Sequence, residues 1–303
     1  MSEHVRYSID ATFHIGQLHN THVMPCQDFA DGFTTVERDK AFVVVSDGCS
    51  SGGQTDLGSR FLSRRLYAQM QQLLKGSEAD LVHSIDQQVC VEDLEMFALE
   101  THDLTATLLY AVADQKGISM HMYGDGVIVV VLSDGSIVMR KAEWQKNTPY
   151  YPIYGSKLGR EVGLYEKFLE VHRECEFPYE VTVVSIKDGS IDIEKTSYRI
   201  DCGISGHSSF LCLDPSDSVR PCAVGIFTDG AGQVIRDLGS IETKDWTSVI
   251  LDCVRIKNPA GAFLKRRVRR AMQEWSSQEF YPQDDLSGAM IWLDYPTISI
   301  DQP

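Results

Sequence analysis

The stretch Ala41–Gly53, AFVVVSDGCSSGG, decides how this chain is read. Its first half, Ala41–Val45, is a short, β-branched apolar run, the pattern of a strand buried on both faces. The run ends at Ser46 and meets an acid–glycine pair, Asp47-Gly48. A loop of small residues follows. From Gln54 onward, Leu57, Phe61, Leu62, Leu66 and Met70 recur at helical spacing. A buried strand that delivers a carboxylate into a tight loop ahead of a helix suits three chemistries: a phosphate-binding loop, a serine nucleophile elbow, or a metal site.

Gly48–Thr55 nearly matches G-x-x-x-x-G-K-[ST], but Gln54 stands where a lysine would reach the β- and γ-phosphates. Strand–helix alternation around it is missing too. Gly48-Cys49-Ser50-Ser51-Gly52 matches G-x-S-x-G, and it lies between a strand and a helix as a nucleophile elbow does. It comes early in the chain, however, and no H-G-G-G-type oxyanion motif accompanies it. Asp125 and His207 stand in the right order for triad partners, but nothing else singles them out. For the metal reading, the question is which other carboxylates behave like Asp47.

Asp-Gly recurs at Asp31, Asp47, Asp125, Asp134, Asp188 and Asp229. The pair is the commonest hairpin turn signal, so each occurrence has an ordinary explanation. Asp134 and Asp188 have alternating runs on both sides and read as turns, and Asp31 reads as a turn within Phe29–Val36. Asp47 and Asp229 differ, because each ends a buried apolar run and no returning strand follows. Asp125 sits in YGDGVIVVV, too tight for an open loop tip. Asp28 stands at a strand start, and Asp284 precedes the final strand. Carboxylates at apolar strand ends are costly to desolvate unless they are paired or hold a metal. Few lysines or arginines flank them. A shared, oxygen-rich site would account for the whole set, and it points to Mg²⁺ or Mn²⁺ rather than Zn²⁺.

The bulk properties agree. With 303 residues the chain can build a substantial core. Its 28 basic and 43 acidic residues give a formal charge of −15, which argues against a nucleic-acid partner. Eight cysteines are scattered without a C-x-x-C pair, so neither a zinc site nor a disulfide scaffold is expected. Reduced thiols, no apolar leader segment and no run of membrane-spanning length lead to a cytoplasmic expectation, with no membrane association.

In chain order, Arg6–Gly16, Phe29–Val36 and Ala41–Val45 read as strands. Gln54–Leu74 and Ala79–Glu100 read as helices. Leu104–Ala113, Ile118–Tyr123, Val127–Leu132 and Ser136–Lys141 read as a four-strand antiparallel meander. Glu143–Arg220 is aromatic-rich and irregular, with a hairpin about Lys187-Asp188-Gly189. Cys222–Thr228 and Ser287–Leu293 are strands, with helices at Trp246–Val254 and Ala260–Trp275 between them. The order predicts a single α+β layered domain. The basic run Lys265-Arg266-Arg267 with Arg269-Arg270 reads as a solvated helix face.

Taken together, these motifs resemble the type 2C metal-dependent protein phosphatases. The resemblance is to the bacterial-style branch with G-x-x-H…P-C-Q-D, here Gly16-Gln17-Leu18-His19 and Pro25-Cys26-Gln27-Asp28. Asp103-Leu104-Thr105-Ala106-Thr107 looks like the family's G-T-T-A strand. Gly124-Asp125-Gly126, Phe227-Thr228-Asp229-Gly230 and Asp284-Asp285-Leu286-Ser287 match its later acidic motifs. The fit runs from Gly16 to Leu293.

The resemblance implies a four-layer αββα sandwich, two antiparallel sheets flanked by helices, with a flap-like insertion at about 143–220. It implies two Mn²⁺ or Mg²⁺ ions, with room for a third. Asp47 would bridge the metals and the Gly48 carbonyl would bind one. Asp229 and Asp284 would complete the other, and Asp28 would hold a metal-bound water. Asp125 with Asp229 would take the third ion. The motif names Asp284, and the sequence leaves open whether Asp284 or Asp285 is the ligand. Asp28, Asp47 and His19 are the catalytic candidates, with His22 a second possible proton donor.

The implied activity is hydrolysis of phosphoserine or phosphothreonine in proteins by a metal-activated water. Two alternatives stand beside it: a catalytically weak pseudophosphatase acting as a regulatory binding module, and a serine hydrolase using Ser50. The family's phosphate-clamping arginine has no counterpart among Thr21, His22, Val23 and Met24, and Gln27 replaces a glutamate.

Overall fold

A computed structural model describes residues 4–75, 91–199, 207–212, 217–236 and 240–295. The chain begins with β1 (Arg6–His14), α1 (Gln17–Thr21), β2 (Phe29–Thr34), β3 (Ala41–Ser46), α2 (Thr55–Lys75) and α3 (Val91–Met96). Four strands follow: β4 (Leu108–Ala113), β5 (Gly117–Tyr123), β6 (Gly126–Leu132) and β7 (Ile137–Trp144). Next come α4 (Pro152–Gly155), α5 (Lys157–Glu161), α6 (Leu164–His172), β8 (Tyr179–Lys187), β9 (Ser190–Tyr198) and β10 (His207–Cys212). The last part holds β11 (Pro221–Phe227), β12 (Val234–Arg236), α7 (Trp246–Val254), α8 (Phe263–Ser276), β13 (Phe280–Pro282) and β14 (Leu286–Asp294).

These strands form a seven-stranded sheet in the order β1-β14-β11-β6-β7-β8-β9 and a five-stranded sheet in the order β10-β5-β4-β3-β2. A short pair, β12-β13, stands apart. Strand β3 shows why its sequence is apolar without a break. Ala41, Val43 and Val45 enter the core between the two sheets. Phe42 and Val44 face the other way, into a second core with Phe61, Leu62, Leu66 and Met70 of α2. A strand covered on both faces has no position for a polar residue. On the far side of the large sheet, Val127, Val129 and Met139 pack against Val249, Ile250, Leu264, Val268 and Trp275 of α7 and α8. Three apolar interfaces between four layers make the αββα sandwich, as expected.

Several local expectations are corrected. The four strands from 104 to 141 are not one meander. β4 pairs with β5 in the small sheet and β6 with β7 in the large one, so the chain crosses between sheets at Gly124-Asp125. Periodicity identifies strands but carries no information about which sheet receives them. Asp31-Gly32 is not a turn either. It lies within β2, where Asp31 pairs with Val44 and its Oδ2 sits 2.7 Å from Arg64 Nη1. The strand expected from Leu104 begins at Leu108, because Thr101–Leu104 forms a 3₁₀ turn whose ends are bonded reciprocally by Glu100 and Asp103. Of the helix expected over 79–100, residues 79–90 lie outside the described residues, and α3 occupies part of the rest.

The hairpin reading holds. Asp188-Gly189 joins β8 to β9 as a two-residue hairpin, with φ of +49° and +80°. The segment 143–220 supplies β8 and β9 to the large sheet and β10 to the small one. It also provides α4–α6, whose Ile153, Tyr154 and Phe168, with Tyr151 just before α4, join the core beneath α2. The basic run on α8 is an ion-paired surface: Arg270 Nε donates to Glu274 at 2.9 Å, and Arg266 donates to the carbonyls of Asn258 and Ala260. No helix among the described residues is long and apolar enough to cross a membrane.

Candidate metal centre

The two sheets bring their acidic strand ends to one end of the sandwich. Asp47 follows β3, and its backbone is clamped to the start of β4. Its N–H donates to Thr107 Oγ1 at 3.0 Å and its carbonyl accepts Thr107 N–H at 2.8 Å. Gly48 N–H donates to the Gln27 carbonyl at 3.2 Å. A Cβ on Gly48 would lie 2.5 Å from the Thr55 carbonyl oxygen, so only glycine lets the loop close this tightly.

Asp28, immediately before β2, is completely buried. Its Oδ2 accepts Thr228 Oγ1 at 2.8 Å, and that hydroxyl in turn accepts Ser287 N–H at 3.0 Å. The other oxygen, Oδ1, is buried and finds no donor, and the carboxyls of Asp28 and Asp47 can bond each other only when one of them carries a proton. An acceptor-only carboxylate oxygen left this way is costly.

Asp229 opens the 3₁₀ turn after β11, and Asp284 precedes β14. Gln233 Nε2 reaches both carboxylates, at 3.4 Å and 3.1 Å, and so holds them side by side. Asp125 lies at the crossing between the sheets, flanked by Gly124 at φ +92° and Gly126 at φ +146°. Side-chain-bearing residues rarely adopt such backbone, and this turn needs a glycine on each side of the acid.

Crowding shows in the acidities. Asp28 is pushed well above the usual carboxylate range, first by burial and then by the charges of Asp285 and Asp229. Burial raises Asp47 as well, and Asp28, Asp229 and Asp284 add to it. Asp229 is raised by burial and by Asp284. Asp125 is pushed up to about 8, mainly by burial and next by Asp229. Clustered carboxylates that resist ionising, with one orphaned buried oxygen among them, fit hard divalent cations.

The neighbouring acid Asp285 has a different task. Its Oδ1 accepts Gly16 N–H at 2.7 Å and its Oδ2 accepts Gln27 N–H at 2.6 Å. His19 Nδ1 stands 2.9 Å from the same Oδ2, while His19 Nε2 points toward Asp284 Oδ1 at 4.0 Å. Both Asp285 oxygens are thus committed to holding α1 and the Gln27-Asp28 segment, on a side chain 1% exposed; those of Asp284 accept the Asp285 N–H at 2.8 Å and Gln233 Nε2, on a side chain 26% exposed and so the more accessible of the pair. His19, Asp284 and Asp285 bring ligand atoms within 4.8 Å of one another.

The other candidates fall outside this group. His22 is exposed and its Nδ1 lies 2.8 Å from the Leu18 carbonyl. Gln27 is turned aside, donating to Thr55 Oγ1 and accepting from Ser50 Oγ at 3.0 Å. Ser50 therefore donates to an amide rather than to a histidine. At the start of α2, Gln54 N–H is capped by Asp103 Oδ1 at 2.6 Å, so a carboxylate occupies the position a bound phosphate would need.

Thr107, Thr228 and Gln233 escaped sequence reading, because their roles depend on partners far away in the chain. Asp285 was visible as half of an Asp-Asp pair, but only its amide contacts divide the work between the two acids.

Comparison with known proteins bears on this arrangement. Residues 15–151 match the family described as Protein phosphatase 2C. A bacterial serine phosphatase aligns over 97% of this chain and 100% of its own, with 11% identity and a TM-score of 0.51. Stp1, a serine/threonine phosphatase from Staphylococcus aureus, aligns over 97% of this chain and 98% of its own, with 12% identity and a TM-score of 0.49. No curated protein sequence matches. Residues 15–151 are thus similar in sequence to protein phosphatase 2C, and the chain shares its overall fold with a bacterial serine phosphatase.

Proposed function

We propose that the protein is a metal-dependent serine/threonine phosphatase, built as one phosphatase-like domain. The observation that carries the reading is the convergence of Asp28, Asp47, Asp229 and Asp284 from four distant segments around an unpartnered buried carboxylate oxygen. These four, with the Gly48 carbonyl, would hold two Mn²⁺ or Mg²⁺ ions, and Asp125 with Asp229 a weaker third. Bound cations would neutralise phosphate at a strongly acidic site and acidify a water for attack on phosphorus.

The chain's own groups do the rest. Thr228 fixes the Asp28 carboxylate by donating to Oδ2, which leaves Oδ1 as the oxygen without a donor. Gln233 keeps Asp229 and Asp284 from drifting apart under their mutual repulsion. Asp285 orients His19 so that Nε2, the atom able to pass a proton to a leaving alkoxide, faces Asp284. The substrate would be a phosphoserine- or phosphothreonine-bearing protein.

A second reading, a pseudophosphatase serving as a binding module, is favoured by one observation: Thr21–Met24 offers no arginine to grip phosphate. Hydrolysis of a phosphopeptide by the purified chain decides between them. Turnover with Mn²⁺, abolished by EDTA and by Asp47→Asn, is expected. No turnover, or turnover unchanged in Asp47→Asn, refutes the enzyme reading.

A further inference from the structure

One charged side chain beside the acidic end of the sandwich has no place in the motifs. Lys141, on β7 opposite Val127 of β6, is only 8% exposed. Lysine is seldom buried unless something compensates its charge. Here Nζ lies 2.5 Å from Glu143 Oε1 and 5.5 Å from the centre of the Trp246 ring. A Cβ on Gly232 would stand 3.4 Å from the same nitrogen, so the ammonium rests against the end of the turn that begins at Asp229. Its strand partner Val127 stands two residues after Asp125, so the lysine lies beside the segments that carry both Asp125 and Asp229. The ammonium is thus fixed by three elements: its own strand, the turn after β11 and the start of α7.

We propose that Lys141 is a built-in counter-cation for the Asp125–Asp229 pair, supplying from the protein the positive charge a third divalent ion would bring, and so keeping that ion weakly bound. The inference rests on the metal reading above and deepens it. An ammonium and a divalent ion drawn to the same pair of carboxylates repel each other across a poorly screened interior. Glu143, whose side chain is 54% exposed, sets how much of the lysine charge is felt. Lys141 acts through the two acids and is a positioning residue.

The test uses the metal-stripped full chain and Mn²⁺ as probe, titrated by calorimetry at pH 7.5. Lys141→Met keeps the stem against Trp246 and deletes the charge. It should tighten the weakest Mn²⁺ equivalent about tenfold, or reveal one absent in the wild type, with the tighter equivalents changed far less. Glu143→Gln releases the ammonium from its partner and should weaken that same equivalent. A packing role would weaken binding in both variants, so opposite signs are the signature. Variants that shift binding in the same direction, or leave the weakest equivalent unchanged, overturn the inference. A wild type that binds no Mn²⁺ refutes the metal reading itself and the inference with it. Mn²⁺ binding by the wild type with unaltered variants removes Lys141 alone.

Discussion

Asp125 gives the sharpest prediction about the metal-free protein. In the folded chain its carboxyl titrates at about 8, against 3.8 when unhindered. Below pH 4 it is protonated in both folded and unfolded chains and contributes no difference. Between pH 4 and 8 the unfolded chain gives up this proton while the folded chain keeps it. Stability therefore falls as pH rises, by about 1.4 kcal/mol per pH unit. The penalty levels off above pH 8 at no more than about 6 kcal/mol, and because the charge of Asp229 is the second cause of the shift and the two acids titrate together, about half of it, roughly 3 kcal/mol, is assigned to Asp125 alone. Asp125→Asn removes the titration. In EDTA the variant should match the wild type near pH 4 and exceed it by about 3 kcal/mol at pH 8, a rise in Tm on the order of 5 °C or more. Thermal unfolding followed by circular dichroism at pH 5 and pH 8 measures the slope directly. An Asn variant that is less stable at pH 8, or shifted equally at both pH values, refutes the account.

Three other perturbations probe the centre. Thr228→Val removes the hydroxyl between Asp28 and Ser287, and urea unfolding should show a loss of about 1–3 kcal/mol together with weaker Mn²⁺ binding. Asp285→Asn sets an amide NH₂ against a backbone donor or against His19. It should cost about 2–3 kcal/mol in the same assay and lower phosphopeptide turnover, because α1 and the Gln27-Asp28 segment lose their anchor. Mn²⁺ at a hundred times its dissociation constant should stabilise the wild type by about 2.7 kcal/mol, read as a rise in Tm that is absent in Asp47→Asn.

How far the sequence revealed the molecule depended on the range of the forces involved. β3 was legible because two apolar faces leave a continuous local pattern, and the Asp188-Gly189 hairpin because turn chemistry resides in the turn. The acids at strand ends stood out because a carboxylate after an apolar run is locally anomalous. Assignment of strands to sheets was not legible, since β5 and β6 look alike yet lie on opposite sides of the central core. Asp31 misled because a local turn signal was overridden by pairing with β3 and by Arg64. Nor could the division between Asp284 and Asp285 be read, because it is made by the amides of Gly16 and Gln27, more than 250 residues away.

The placement of the acids on both sheets has a consequence for the protein's survival. Asp28 and Asp47 belong to the small sheet, Asp229 and Asp284 to the large one, and Asp125 to the link between them. An ion held among them would be a removable clasp across the sandwich, fastened at the end where like charges otherwise push the sheets apart. Cation supply would then govern how often that end opens, and with it how long the chain resists a protease. The same ion that would equip the protein for chemistry would also set its lifetime.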